Sequence, residues 1–288
     1  MKTCDLHTHS VCSDGADTPR ILLEKAEAAG LSAIALTDHN TVDGLDEFLA
    51  EAKGFLLEAI PGVELSVDYR HDERVDELHI VCLYLPKSAY TQVSLLAENM
   101  KQAKIQSNRL LTERLVKAGY DVSYEEAAAL TRGIPNRAHI AKILTQKGYT
   151  ATEREAFATV LAKGAGFYTE PPRPNVFTVL DLIRSFGAVS ILAHPLLQLS
   201  REELRALLSK PECAKLDAIE TLYVKYSSED REFSSALCRE LSLLESGGSD
   251  FHGDNKPGQE LGVGRGDLFV PYEFFEKLKA RKAEKSER

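Results

Sequence analysis

Apolar residues in this chain recur with two different periods, and the change between them divides it. In the first third, short runs rich in Ile, Val and Leu lie at residues 2–6, 32–36, 56–60, 63–67 and 77–85, the pattern of buried or half-buried strands. Helical segments separate them. Thr18 and Pro19 open one that Gly30 closes, and another lies near 45–53. After Pro86 the strand pattern stops. Residues 88–118 have the spacing of a long amphipathic helix, Ser123 and Glu126 carry a capping-box signature, and 137–147 and 152–163 predict two further helices. Pro171-Pro172-Arg173-Pro174 predicts a rigid return linker. Beyond it strand and helix alternate again. Helices are expected at 176–186, 201–208 and 229–240, and strands at 189–192, 218–222 and 242–245. A last helix at 272–281 precedes a charged tail expected to fray.

This order predicts an α/β fold of about seven strands. Residues 1–87 and 165–288 form the β/α part, and 88–164 a helical insertion or cap. Polar islands stand at or just after most of the predicted strands. Groups from many strands meet most easily around the axis of a closed barrel, whereas an open sheet gathers them from two or three strands at one crevice.

Composition removes several function classes. A formal charge of −9 argues against general binding of duplex nucleic acid, although a local positive site could still hold a nucleotide or a strand end. No apolar run approaches membrane-spanning length, and no leader-like segment precedes the first polar island. The five cysteines lack CxxC spacing, which fits reduced thiols and a cytoplasmic protein. Cys4 and Cys12 flank the first island and could ligate metal, but small buried fillers are the commoner role.

The islands carry the chemistry. They contain His7, His9, Asp14, His39, Glu64, His79, His194, Asp250 and His252, all good ligands for divalent ions, and six of the chain's eight histidines. His7 and His9 are two residues apart, so in an extended segment both rings point the same way and can reach one ion. Imidazole suits zinc, iron and manganese, and the carboxylates of Glu64 and Asp250 can bridge two ions. Nine ligands exceed the need of one ion and suit two or three. With so few carboxylates such a site keeps a net positive charge, which favours a phosphoester over a neutral amide. Each island alone has a plainer reading. A lone His79 is more often a hydrogen-bonded core histidine, His194-Pro195 a strand-end turn and Asp14-Gly15 a β-turn. Asp38 is expected to orient a ligand histidine rather than to ligate. His71, within a charged loop at 69–77, reads as a surface histidine, and His139 stays open.

Taken in order, Asp5-Leu6-His7-Thr8-His9-Ser10, Thr37-Asp38-His39, Gly62-Val63-Glu64, Ala193-His194-Pro195 and Gly248-Ser249-Asp250-Phe251-His252-Gly253 resemble the PHP superfamily of polymerase-associated and histidinol-phosphatase domains. The resemblance implies a distorted seven-stranded (β/α)7 barrel and a trinuclear centre. It assigns His7, His9, Glu64 and Asp250 to one ion, Glu64, His79 and His194 to a second, and Asp14, His39 and His252 to a third. The insertion and the segment Pro135-Asn136-Arg137-Ala138-His139 resemble a stand-alone branch that acts on nucleotides. Its members remove the 3′-phosphate of nucleoside 3′,5′-bisphosphates or trim short RNA from the 5′ end. In that branch Arg137 and His139 would bind phosphate or ribose; otherwise they mark a helix start with a surface arginine.

The reading is a metal-dependent phosphoesterase using two or three manganese, zinc or iron ions and a metal-activated hydroxide. Its expected substrate is a phosphorylated small molecule, a nucleotide or a short oligonucleotide. Histidinol-phosphate-type phosphatase activity is the nearest rival. An amidohydrolase-like enzyme lacks its usual strand-end lysine here. A non-catalytic domain folded around metal would need only about four ligands.

Overall fold

A computed structural model describes residues 2–71, 74–131 and 133–286. Two units emerge, one made of Met1–Ser94 with Pro174–Arg288 and the other of Leu95–Arg173, against the boundaries of 88 and 164 expected from periodicity. The strands of the first unit are β1 (Cys4–Asp5), β2 (Ala33–Leu36), β3 (Glu58–His71), β4 (Arg74–Leu83), β5 (Val189–Ala193), β6 (Ala218–Tyr223) and β7 (Leu244–Gly248). They form one seven-stranded sheet in chain order. β1, β2 and β3 run parallel, as do β5, β6 and β7, while β4 is antiparallel to both its neighbours. The first and last strands meet just past their ends. Leu6 N–H donates to Gly247 O (3.2 Å), Asp250 N–H to His7 O (2.9 Å) and His9 N–H to Phe251 O (2.9 Å). These bonds nearly close the sheet into a barrel. Gly248 permits the approach: a Cβ there would lie 2.5 Å from His7 Cβ and 2.6 Å from its backbone nitrogen.

The helices are α1 (Pro19–Ala28), α2 (Leu45–Glu51), α3 (Tyr90–Lys117), α4 (Tyr124–Ala129), α5 (Arg137–Gln146), α6 (Glu153–Ala158), α7 (Val176–Ser185), α8 (Arg201–Leu208), α9 (Ser228–Leu241) and α10 (Tyr272–Ser286). Thr18 caps α1, with Pro19 in the first turn, where its missing N–H costs nothing. The barrel core is built from small and β-branched residues such as Ala33, Ala35, Val81, Ile191 and Ala218, joined by Phe275 and Leu278 of α10. Burying a side chain the size of Ile or Phe stabilises by about 1.5–3 kcal/mol.

The second unit has its own apolar core, with Leu111, Leu115, Ile140, Leu144 and Leu161 fully buried. Its helices start on side-chain caps. Ser123 and Glu126 form a reciprocal capping box, Asn136 and His139 another, and Thr152 accepts from Glu155 N–H.

Two expectations need correction. The charged stretch 69–77 is not a loop, because β3 runs to His71 and β4 starts at Arg74; Asp72 and Glu73 lie outside the described residues. Charged side chains alternate along this ribbon and pair across it, so His71 bonds Asp76 (2.7 Å) and its ring stacks on Tyr69. Nor does the C-terminal tail fray at 281. α10 continues to Ser286, with Lys282 donating to Gly187 O and Lys285 to Ala188 O and to the buried Asp217.

Candidate metal centre

The chain past β1 stays extended, held by Thr8 on one side. Thr8 Oγ1–H donates to Ala35 O (2.6 Å), and Thr37 N–H donates to Thr8 O (2.9 Å). The period of two then turns His7 and His9 together to the other side, with ring centroids 5.1 Å apart. His39 follows β2 and bridges to Glu64 on β3. His79 lies within β4, opposite Ser66 and Ala193, and this antiparallel register sets it level with the end of β5, beside the cluster. His194 follows β5, and Asp250 and His252 follow β7. Backbone strain gathers here. Asn40 (φ 52°), His194 (φ 32°) and Asp250 (φ 51°) are left-handed, a conformation that costs non-glycine residues energy and collects at functional sites.

Glu64 is the hub. Its Oε1 takes bonds from His79 Nδ1 (2.8 Å) and His194 Nε2 (3.0 Å). Its Oε2 lies 3.0 Å from His7 Nε2, 3.3 Å from His9 Nε2 and 3.0 Å from His39 Nδ1. Asp250 Oδ1 is 3.2 Å from His9 Nε2, and Asp14 Oδ1 is 3.2 Å from His252 Nε2. All nine residues singled out in the sequence therefore meet at one end of the barrel. With Glu220 they fall into overlapping groups able to hold an ion: His9, Asp14, His39 and His252; His7, His9, Glu64 and Asp250; His7, His194 and Glu220; and His39, Glu64 and His79. Cys4 and Cys12 join none of these groups.

The donors fit divalent ions. His7 Nε2, both ring nitrogens of His9, Glu64 Oε2, His194 Nδ1 and His252 Nε2 are buried without a hydrogen-bond partner. Several lie about 3 Å apart yet miss hydrogen-bond angles. Leaving so many buried polar atoms unpaired is costly unless a cation satisfies them. The charges agree. Burial opposes ionisation of Glu64, but His39, His7 and His79 overcome it and hold the carboxyl well below its usual range. Asp250 is likewise held down by His9 and His7 against its burial. His79 is pushed up to about 10 by Glu64 in spite of burial, while burial brings His39 down to about 4. Without ions the cluster balances itself with protons, which a metal must displace.

The family model for the PHP domain matches residues 5–170, more than half of the chain. The chain belongs to the PHP family. A 5′-3′ exoribonuclease of Haemophilus influenzae is 31% identical to this PHP protein over 252 residues, 87% of this chain and 90% of that one. A 3′,5′-nucleoside bisphosphate phosphatase of Chromobacterium violaceum is 27% identical over 266 residues, 91% of each chain. A crystal structure described as a metal-dependent phosphoesterase, from Bifidobacterium adolescentis, superposes with a TM-score of 0.70 at 28% identity, covering 97% of this chain and 96% of that one. This PHP protein is a metal-dependent phosphoesterase, a hydrolase of phosphoester bonds with an α/β barrel fold. Among the described residues no helix is long and apolar enough to cross a membrane.

Two groups of the PHP site escaped the sequence reading. Glu220 on β6 accepts from His7 Nδ1 (2.8 Å) and from His194 N–H (2.7 Å). Asp5, fully buried, accepts from Ser249 N–H (2.9 Å) and Ser249 Oγ–H (2.5 Å), from Gly262 N–H (2.8 Å) and from His7 N–H (3.3 Å). The signal for Glu220 was present, a lone carboxylate in the apolar run Ala218-Ile219-Glu220-Thr221-Leu222. Asp38 has a different job from the expected one. Its carboxylate accepts from Ser10 N–H (2.7 Å), Ser10 Oγ–H (2.6 Å) and Ser13 Oγ–H (2.6 Å), so it holds the loop that leads to Asp14 rather than a histidine ring. In the helical unit, the Arg137 guanidinium lies over the rings of Tyr168 (4.1 Å) and Phe157 (5.7 Å). His139 Nδ1 accepts from Asn136 N–H (3.0 Å) at the start of α5.

Proposed function

We propose that this PHP protein hydrolyses a nucleotide phosphoester, either the 3′-phosphate of a nucleoside 3′,5′-bisphosphate or the 5′ end of a short RNA. The observation that carries this reading is the convergence of nine histidine and carboxylate ligands on one barrel end, in a chain aligned along most of its length with nucleotide- and RNA-cleaving relatives. His7, His9, Glu64 and Asp250 would hold one ion, Glu64, His79 and His194 a second, and Asp14, His39 and His252 a third. This mixture of imidazoles, which suit zinc and iron, with carboxylates, which suit manganese, fits manganese, zinc or iron. Bound ions would supply water ionised at neutral pH and positive charge for the phosphoryl oxygens.

The chain's own residues do the rest. Glu64 links the groups and fixes their spacing. Asp38 steadies the loop before Asp14. No serine or cysteine is needed as nucleophile, and the five cysteines, all free thiols, support a cytoplasmic setting. We place Arg137 and His139, in a helical cap, as contacts for the phosphate or ribose remote from the scissile bond. Arg137 offers forked donors, and the His139 ring keeps Nε2 for a ligand once Nδ1 is used in its cap.

The test is a panel of manganese-loaded turnover assays on a nucleoside 3′,5′-bisphosphate, a short 5′-phosphorylated RNA, an aryl phosphate and histidinol phosphate. The nucleotide or RNA substrate should have the highest kcat/KM, and chelation should abolish it. A clear preference for histidinol phosphate would replace the nucleotide reading.

A further inference from the structure

β6 is the one barrel strand that supplies none of the nine ligands, yet it is not filled like a core strand. Glu220, Thr221 and Tyr223 are all buried on it. Glu220 Oε1 takes His7 Nδ1 at 2.8 Å, and Oε2 takes the backbone N–H of His194 at 2.7 Å. Tyr223 Oη–H donates to Asp250 Oδ2 (2.9 Å), and its ring packs against that of His194 at 5.1 Å.

Strand geometry makes this arrangement unusual. Residues three apart face opposite sides of a regular strand. Glu220 and Tyr223 nevertheless reach the same cluster. The pairing of β6 with β7 explains it: Glu220 faces Ser246 and Leu222 faces Gly247, so Thr221 is an inserted residue. A bulge of this kind re-aims the side chains after it. A second oddity lies across the sheet. His194 precedes Pro195, a position that favours extended backbone, yet it has φ 32° and ψ 47°. Its N–H is pinned by the Glu220 carboxylate, which holds the strained peptide in place.

We propose that β6 is the positioning strand of the metal centre. Glu220 holds His7 with Nδ1 as the donor and Nε2 turned to the ion, and fixes His194 through its backbone. Tyr223 takes Asp250 Oδ2, which Lys256 Nζ also reaches (3.1 Å), and leaves Oδ1 for the ion. The proposal rests on the ligand reading above. His7 Nε2 is a buried atom without a hydrogen-bond partner, as a ring held from its far side for a cation should be. A carboxylate behind a ligand imidazole also raises its basicity.

Cobalt(II) titration of the metal-stripped protein, followed by visible absorption and calorimetry, tests this in wild type, Glu220→Ala, Glu220→Gln and Tyr223→Phe, with Glu64→Gln as the ligand-loss reference. Glu220→Ala should bind cobalt about 10–100-fold more weakly, regain wild-type stoichiometry at saturation and show shifted d–d bands. Glu220→Gln should fall between, because its amide oxygen still accepts from Nδ1. Tyr223→Phe keeps the packing and should weaken binding least. If Glu220→Ala does not fold, the other two variants carry the test. A folded Glu220→Ala with wild-type affinity and spectrum, beside a Glu64→Gln that loses ions, overturns the proposal. Loss of stoichiometry equal to that of Glu64→Gln also overturns it, because Glu220 would then be a ligand. Equal cobalt uptake by wild type and Glu64→Gln would instead defeat the ligand reading itself.

Discussion

The barrel unit and the helical unit are stabilised on opposite terms. Among the described residues, every buried side-chain nitrogen or oxygen without a partner lies in the barrel unit, most of them in the histidine cluster. The helical unit has an apolar core, its buried polar side chains are hydrogen-bonded, as Asn108 is to Pro135 O (2.7 Å), and others cap helices or form surface ion pairs such as Lys147 with Asp121 and Glu126. One unit leaves a cost in its interior for a cation to offset. The other is complete without one. Polar density in a core is therefore a guide to where function resides, because unpaired buried groups survive only where something else satisfies them.

The sharpest way to break this contrast is Glu64→Gln. It removes the hub charge while keeping the shape. We expect loss of bound metal and almost all turnover, with the circular dichroism spectrum preserved. Asp38→Asn weakens only a loop anchor and should cost no more than roughly 10–100-fold. The reverse ranking in side-by-side kinetics and metal analysis would remove Glu64 from the centre. Next comes Leu144→Ala in the helical core, which should destabilise by about 2–5 kcal/mol in thermal melts yet leave manganese affinity at the wild-type value. A parallel loss of affinity would mean that the two units are not independent. The smallest effect is expected from Arg137→Ala. KM for a nucleotide should rise about tenfold, in line with loss of one charged hydrogen bond, while KM for an aryl phosphate stays put. Equal losses on both substrates would move Arg137 to the reacting phosphate.

Most of the helices and the polar islands were readable because they depend on local signals. Thr18-Pro19, Ser123 with Glu126, and the two-residue spacing of His7 and His9 each declare a conformation within one turn or strand. What depends on partners was hidden. The ribbon beyond Val67 looks like a loop, since its alternation joins charges rather than apolar residues, and only pairing across β3 and β4 makes it strand. β4 also runs against its neighbours, which no periodicity reports. Asp38 reads as a partner for a ligand histidine, but the backbone turns its carboxylate toward Ser10 and Ser13. Glu220 resembles a stray charge in an apolar strand until His7, from the far end of the sequence, is laid against it. The run 272–281 undercounts its helix because Lys285 anchors to Asp217, a contact between distant segments.

The seam between β1 and β7 has a consequence for assembly in time. His7 and His9 stand on its first side and Asp250 and His252 on its last, and residues so distant in sequence must find each other before the groups that contain Asp250 or His252 are whole. The β3–β4 hairpin, by contrast, joins near neighbours and can form early. Bringing the chain's two ends together carries the largest loop-closure entropy in the barrel. An ion shared by His7, His9, Glu64 and Asp250 would act as a clasp on that last joint, so that a chain maturing with metal at hand locks its circumference as it becomes able to react.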